Sequence, residues 1–432
     1  MGKSRATSNR FTDPADFTPF FVRRGGELHC EHVALKAIAD RVGTPAYVYS
    51  GAAITAAYRS LDRAFAGPRG VPHTICYSVK ANSNLSVLRL LARLGSGFDI
   101  VSGGELHRLR RAGVSPKKIV FSGVGKTREE IREAIRAGIL LFNVESEAEL
   151  EILAAEAARL RRAAPAGIRV NPDVEAGGHP HISTGHHRHK FGVDWDDARR
   201  LYFAHKGSRW IHWQGISAHI GSQILSPAPF RRAIARLADF VRELSRAGVP
   251  LQYLDFGGGI GVRYSAEDPL DVRDYAAVVA RTVRPLGCHL LLEPGRVIVG
   301  PAGVLLTRVL YTKQNRGKTF VVVDAAMNDM IRPALYGAVH PITVARALRP
   351  RSSSRVDIVG PVCETGDCFL QDWPFGEVNY GDLLVLWGAG AYGFVAASNY
   401  NSRPRPAEVL VERSRFRVIR RRESLSDLIR GE

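Results

Sequence analysis

HTICYSVKANSNLSVLRLLARLGSGFDIVSGGELHRLRRAGVSPKKIVFS, residues 73–122, switches period four times, and those switches decide the fold. The runs HTICYSVK (73–80), FDIV (98–101) and KIVFS (118–122) are short and rich in β-branched and aromatic residues. Between them, apolar residues recur at helical spacing. The same alternation continues through LLFNV (140–144), GIRVN (167–171), QGISAHI (214–220), LQYLDF (251–256) and HLLLEP (289–294), which makes eight strands. One intervening helix, SEAELEILAAEAARLRR (146–162), opens with Ser146 and places Glu149 three residues on, in capping-box order. Eight consecutive βα units predict an α/β fold, a (β/α)8 barrel of the TIM type over residues 51–296. A doubly wound open sheet is the competing architecture.

After residue 297 the texture changes to VIVGPAGVLLTRVLYTK, KTFVVVDAA, SRVDIVGPV, GDLLVLWGAGAYG and AEVLVERSRFRVI, strand-like runs punctuated by turns. Residues 297–432 are therefore predicted to form a C-terminal β-barrel or β-sandwich domain, completed by residues 21–50 (GELHCEHVAL, PAYVYS). Residues 1–20 read as a flexible extension and RALRPRSSSR (346–355) as an exposed loop.

A chain of 432 residues with 45% hydrophobic content is long enough for two cores. No run of about 18 apolar residues appears, so no membrane span is expected, and MGKSRATSNRFTDPADF lacks the apolar segment of a secretory signal. The default is a cytoplasmic protein. The five cysteines (Cys30, Cys76, Cys288, Cys363, Cys368) form no CxxC pair, which argues against a disulfide framework or structural zinc. The net charge of +18 comes from arginines dispersed in short groups such as RLRR (108–111), with no nucleic-acid module, so a solvated basic surface is expected and nucleic acid is not.

Active sites of such barrels lie at the C-terminal ends of the strands, with phosphate sites commonly after strands seven and eight. Here strand one ends in Lys80, strand two holds Asp99, strand six ends in His219, strand seven runs into Gly257, Gly258 and Gly259, and strand eight ends in Glu293. DFGGGIG is not a dinucleotide fingerprint, since Val262 stands where the last glycine belongs. Consecutive glycines still present backbone N–H groups to an oxyanion. A lysine whose pKa is depressed by burial, a phosphate loop and a carboxylate for a pyridine nitrogen together describe a site for pyridoxal 5′-phosphate.

YSVKAN, FDIVSGGEL, NPDVEAGGHPHISTGHHRHKFG, HIGSQ, DFGGGIG, EPGR, RPALYGA, CETGD and AYG occur in that order from about residue 20 to the C-terminus. In these motifs the chain resembles the barrel-type pyridoxal-phosphate amino-acid decarboxylases, which share an alanine-racemase-like fold, and within them those that act on diaminopimelate. The resemblance implies that Lys80 carries the cofactor's aldehyde as a Schiff base with Asp99 beside it. It implies that His219 stacks on the ring, and that Ser222, Gly257, Gly258, Gly259 and the EPGR turn (Pro294, Gly295, Arg296) hold the phosphate. Glu293 is implied to pair with the pyridine nitrogen. Cys363, reaching the neighbouring barrel of a homodimer, is implied to protonate the substrate carbon after carbon dioxide leaves. Arg296, Arg332 and Tyr336 are implied to grip the distal carboxylate of diaminopimelate, Glu364 its ammonium, and Tyr392 both cofactor and substrate.

Two features depart from the family's usual pattern: CETGD has Thr365 for serine, and the loop His179–His189 carries five histidines. No carboxylate or thiolate is interleaved among these histidines, so a mobile loop is expected there and not a metal site. Two arginines facing a distal group suit diaminopimelate better than ornithine, arginine, lysine or carboxynorspermidine, the substrates of the alternative decarboxylases. A racemase would place an arginine where Glu293 stands, and a non-catalytic relative would have no need of Lys80 or Cys363.

Overall fold

The eight apolar runs are the strands of a closed parallel barrel: β1 (His73–Ser78), β2 (Gly97–Ile100), β3 (Ile119–Phe121), β4 (Leu141–Val144), β5 (Ala164–Arg169), β6 (Ile211–Ser217), β7 (Tyr253–Asp255) and β8 (His289–Leu292). Each pairs with the next in sequence, and β8 closes on β1 through Leu290 opposite His73. These assignments come from a computed structural model that describes residues 14–175, 190–265, 267–346 and 354–432. The histidine loop 179–189, residues 1–13 of the expected extension and 347–353 of the expected loop lie outside the described residues.

Continuous burial on both faces explains why the strands read as unbroken apolar runs. Phe98, Phe121 and Phe142, on three successive strands, are fully buried, and the last two stack at 6.2 Å between ring centroids. Burying each such ring is worth about 2 kcal/mol relative to exposure. The crossover helix Glu147–Leu160 is capped as its sequence predicts, with the Ser146 side chain accepting the Glu149 N–H. Helix Arg128–Ala137 has the full reciprocal capping box between Thr127 and Glu130.

The rest of the chain builds a second, mixed sheet from β9 (Gly303–Asn315), β10 (Lys318–Val323), β11 (Ile342–Val344), β12 (Ser354–Val359), β13 (Cys368–Phe375), β14 (Leu383–Leu386), β15 (Ala407–Glu412) and β16 (Arg415–Arg420). The N-terminal strand Ala46–Ser50 lies inside it, antiparallel to β9 and parallel to β15. PAYVYS thus joins this sheet, whereas GELHCEHVAL forms much of a separate three-stranded sheet with Phe21–Arg24, packed on the same core. No helix of the described residues is long and apolar enough to cross a membrane.

The contact between the two sheets positions the site. Directly after β1 the chain turns in the short 3-10 helix Val79–Ala81, and this turn is tied to a turn after β14. Tyr392 donates its N–H to the Ala81 carbonyl (2.9 Å), and Asn82 Nδ2 donates to the Gly390 carbonyl (3.2 Å). Asn84 caps helix Leu85–Arg93 and donates from Nδ2 to Glu408 Oε2 on β15.

Candidate active site

Lys80 rises from the Val79–Ala81 turn with its side chain 39% exposed, and its Nζ meets the fully buried Asp99 Oδ2 at 2.5 Å. Ser78 Oγ, 3.0 Å from the same carboxylate oxygen and 2.9 Å from the Glu293 carbonyl, ties β1 to both neighbours. The sequence-based expectation that burial depresses Lys80 is corrected here. Burial does pull the ammonium's pKa down, but the carboxylates of Asp99 and Glu293 outweigh it, and the group lies above its ordinary value.

Three strand ends place a carboxyl cluster on the floor of the site. Asp255, at the end of β7, accepts the Gly257 N–H (3.0 Å) and Asn143 Nδ2 (2.8 Å). Glu293, one residue past β8, accepts Ser122 Oγ at 3.1 Å and bonds directly to Asp255. Burial first, and then the charges of Asp255 and Asp99, push Glu293 well above the carboxylate range. Asp255 is raised as well, burial again being the first cause. Asn143, Ser122 and Asp255 were not singled out from sequence; the available signal was a polar residue inside each of the apolar runs LLFNV, KIVFS and LQYLDF.

The glycine loop is shaped by close approach. A Cβ on Gly258 would stand 2.3 Å from the Glu293 carbonyl oxygen, and one on Gly257, at φ +63°, 2.6 Å from His219 Nδ1. That ring nitrogen accepts the Gly258 N–H at 3.1 Å, so the imidazole is neutral with its proton on Nε2. Burial, Arg169 and Lys80 hold its pKa well below the usual histidine value.

Arg296 begins the short helix after EPGR and donates to Tyr264 OH (2.7 Å) and Ser222 Oγ (3.0 Å), with its guanidinium 4.9 Å from the Tyr392 ring centroid. The EPGR turn itself packs on the lysine turn: the Pro294 carbonyl accepts the Ser78 N–H, and a Cβ on Gly295 would meet that of Ala81 at 2.8 Å. Tyr392 sits at φ +56°, a left-handed conformation uncommon outside glycine and here fixed by its bond to Ala81. Arg332 is buried, with the Tyr264 and Tyr336 rings 5.6 and 5.7 Å from its guanidinium carbon. Among the described residues, neither arginine has a carboxylate partner. Tyr264 was also missed from sequence, because nothing in GVRYS distinguishes it from a surface tyrosine.

Cys363 and Glu364 do not join this group. Cys363 is exposed on the second sheet domain, its N–H donated to Asn401 Oδ1, and Glu364 accepts the hydroxyl of Tyr400.

Phosphate, ring nitrogen and aldehyde in one ligand suit this set of residues. Ser222 and the glycine amides offer donors to the first, Glu293 a partner to the second, and Lys80 an amine to the third. Asp99 Oδ1, Asn143 Oδ1 and Arg296 Nε are buried polar atoms with no protein partner, the signature of a place completed by something else. No group of three or more metal-ligating side chains occurs among the described residues.

Residues 52–300 match the family model described as pyridoxal-dependent decarboxylase, pyridoxal binding domain. The chain is similar to the diaminopimelate decarboxylase of Pseudomonas fluorescens, at 51% identity over 95% of this chain and 98% of that one. It superposes on the diaminopimelate decarboxylase of Helicobacter pylori complexed with L-lysine with a TM-score of 0.88, at 43% identity over 92% of this chain and 98% of that one. On the M. jannaschii enzyme in co-complex with L-lysine the TM-score is 0.90, at 36% identity over 95% and 97% of the two chains.

Proposed function

The chain belongs to the diaminopimelate decarboxylases, within the pyridoxal-dependent decarboxylases, and from that premise we propose how its residues convert meso-2,6-diaminopimelate to L-lysine and carbon dioxide, the last step of lysine synthesis. The observation that carries the substrate choice is the pair of buried guanidiniums, Arg296 and Arg332, left without a carboxylate by the described residues. A ligand carboxylate offers what they lack, and a planar guanidinium binds it bidentately. An amine at the far end of ornithine would meet two like charges there.

Ser222 and the amides of Gly257, Gly258 and Gly259 would hold the cofactor's phosphate, leaving Arg296, which donates to Ser222, to the substrate's distal carboxylate. Lys80 would hold its aldehyde carbon, its amine fixed by Asp99. His219 would lie against the ring. Glu293 would pair with the pyridine nitrogen. Bound in this way, pyridoxal phosphate supplies an electron-withdrawing ring that accommodates the electron pair left at Cα when the carboxylate departs as carbon dioxide. Arg332 and Tyr336 would keep the distal carboxylate in place, and Tyr392 would contact both substrate and cofactor.

A proton must fill the vacated position at Cα. Cys363 is the proposed donor, its S–H supplying the proton. In its own chain Cys363 bonds to Asn401 and to no residue of the barrel mouth, so it serves the barrel of a second copy, where Glu364 receives the distal ammonium. A homodimer with shared sites follows. Five free cysteines suit a reducing compartment, and the cytoplasm is where the enzyme is expected to work.

Purified protein supplied with pyridoxal phosphate and, in separate assays, meso-diaminopimelate, ornithine, arginine or lysine tests the assignment. Carbon dioxide is expected from diaminopimelate alone; release from ornithine or arginine without release from diaminopimelate overturns it.

A further inference from the structure

Arg332 opens the short helix Arg332–Tyr336, and eight residues later the chain returns to its side chain with His340. The Arg332 Nε–H donates to His340 Nε2 at 3.2 Å, while His340 Nδ1 lies 2.8 Å from the Trp387 carbonyl oxygen. Both side chains are buried, at 6% and 1% exposure. A carbonyl only accepts, so the imidazole proton is on Nδ1 and Nε2 presents a bare lone pair. Burial and the neighbouring Arg332 push the histidine's pKa down to about 3, so the ring stays a neutral acceptor throughout the working range.

This neutrality matters for what Arg332 has left to offer. A carboxylate at position 340 would orient the guanidinium equally well but would neutralise it and compete with any incoming anion. A neutral acceptor at Nε spends one of five donors and leaves both terminal amino groups, with the full charge, for a ligand. Arg296 too is oriented by neutral acceptors, the hydroxyls of Tyr264 and Ser222, but these engage its terminal amino groups. Tyr264 connects the two arrangements: its ring meets His340 edge-on, with centroids 5.1 Å apart at 69°, and both guanidinium carbons lie within 6 Å of its centre (5.6 and 5.9 Å).

We propose that His340 is a positioning residue for substrate recognition, holding Arg332 by Nε so that its two terminal amino groups face the distal carboxylate. The inference rests on the reading of Arg332 as the group that grips that carboxylate. Its effect falls on ligands that carry the carboxylate and spares those that lack it.

L-Lysine and 1,5-diaminopentane differ by that carboxylate alone, which makes them the probes. Their affinities for the cofactor-loaded protein are measured from the change in cofactor absorbance, alongside cofactor affinity, KM and kcat for meso-diaminopimelate. His340→Phe keeps a flat ring and removes the acceptor. It is expected to weaken lysine binding and raise KM by about ten- to a hundredfold, the loss of one charge-assisted hydrogen bond. Diaminopentane and cofactor affinities should stay within about twofold. His340→Gln, whose amide oxygen can accept, should recover most of the loss.

The inference is overturned if His340→Phe discriminates lysine from diaminopentane as the unaltered protein does, or weakens both alike. Arg332→Met separates the two claims. If it too leaves the discrimination intact, the reading of Arg332 itself fails; if it abolishes discrimination while His340→Phe does not, only the role of His340 fails. Should His340→Phe not load cofactor, His340→Leu, which likewise lacks an acceptor, decides in its place by the same outcomes.

Discussion

Lys80 Nζ and Asp99 Oδ2, at the ends of adjacent barrel strands, form a 2.5 Å ion pair in which the lysine is partly open to solvent and the aspartate fully buried. The pair resolves the energetic oddity of a lysine closing an apolar strand: the ammonium is neither deeply buried nor alone. It also sets a pH requirement, because only the neutral amine attacks an aldehyde.

Asp99→Asn should therefore move the pH dependence of cofactor attachment. Attachment speeds up as Lys80 loses its proton, and Asp99 is the foremost of the groups holding that proton on. Without its charge the rise should begin at lower pH, followed by stopped-flow absorbance or by borohydride trapping of the bound cofactor. An unchanged profile, or one displaced to higher pH, contradicts the electrostatic account. Lys80→Ala should give no trapped cofactor at any pH.

Gly258→Ala probes the phosphate loop through sterics. The new Cβ would stand 2.3 Å from the Glu293 carbonyl oxygen, which is backbone and has little room to retreat. The loop must shift, and cofactor affinity is expected to fall by about tenfold or more, the scale of one lost hydrogen bond to an anion. Gly67→Ala, where a Cβ meets nothing within 4 Å, is the matched control and should bind cofactor normally in a fluorescence titration.

The barrel was legible because its strands are buried on both faces and so differ in period from the helices between them. Lys80, Asp99, His219 and Glu293 were legible because a strand end is where a polar residue interrupts an apolar run. The direction of the Lys80 shift was not, since it depends on which carboxylates the barrel's closure brings to β1, and Glu293 lies more than two hundred residues away in sequence. Asp255 was hidden for a related reason: beside GGG it looks like part of a turn, and only the pairing of β7 with β8 puts it against Glu293. Tyr264 and His340 owe their importance to two arginines from other segments, which no local pattern announces.

The exposed position of Cys363 leads to an expectation for mixed assemblies. Lys80→Ala and Cys363→Ala should each be nearly inactive alone. Mixed under conditions that exchange subunits, random pairing makes half the assemblies heterodimers, each with one intact site, so activity should return to about a quarter of the unaltered level. Failure to recover activity, with exchange confirmed by mass spectrometry, would place Cys363 in the site of its own chain.

Asp329 gives a stability test independent of catalysis. Its side chain is 1% exposed and accepts the Ala326 N–H at 2.9 Å, yet burial raises its pKa from 3.8 to about 7. Between those values the folded state binds a proton that the unfolded state has released, so stability falls as pH rises. The contribution is complete below pH 4 and gone above pH 7, and at about 1.4 kcal/mol per pH unit it amounts to roughly 4 kcal/mol. An amide at this position can still accept from Ala326 but does not titrate. Urea midpoints of Asp329→Asn should accordingly gain on those of the unaltered protein between pH 4.5 and 8, and a constant difference across that range would show that Asp329 titrates normally in the fold.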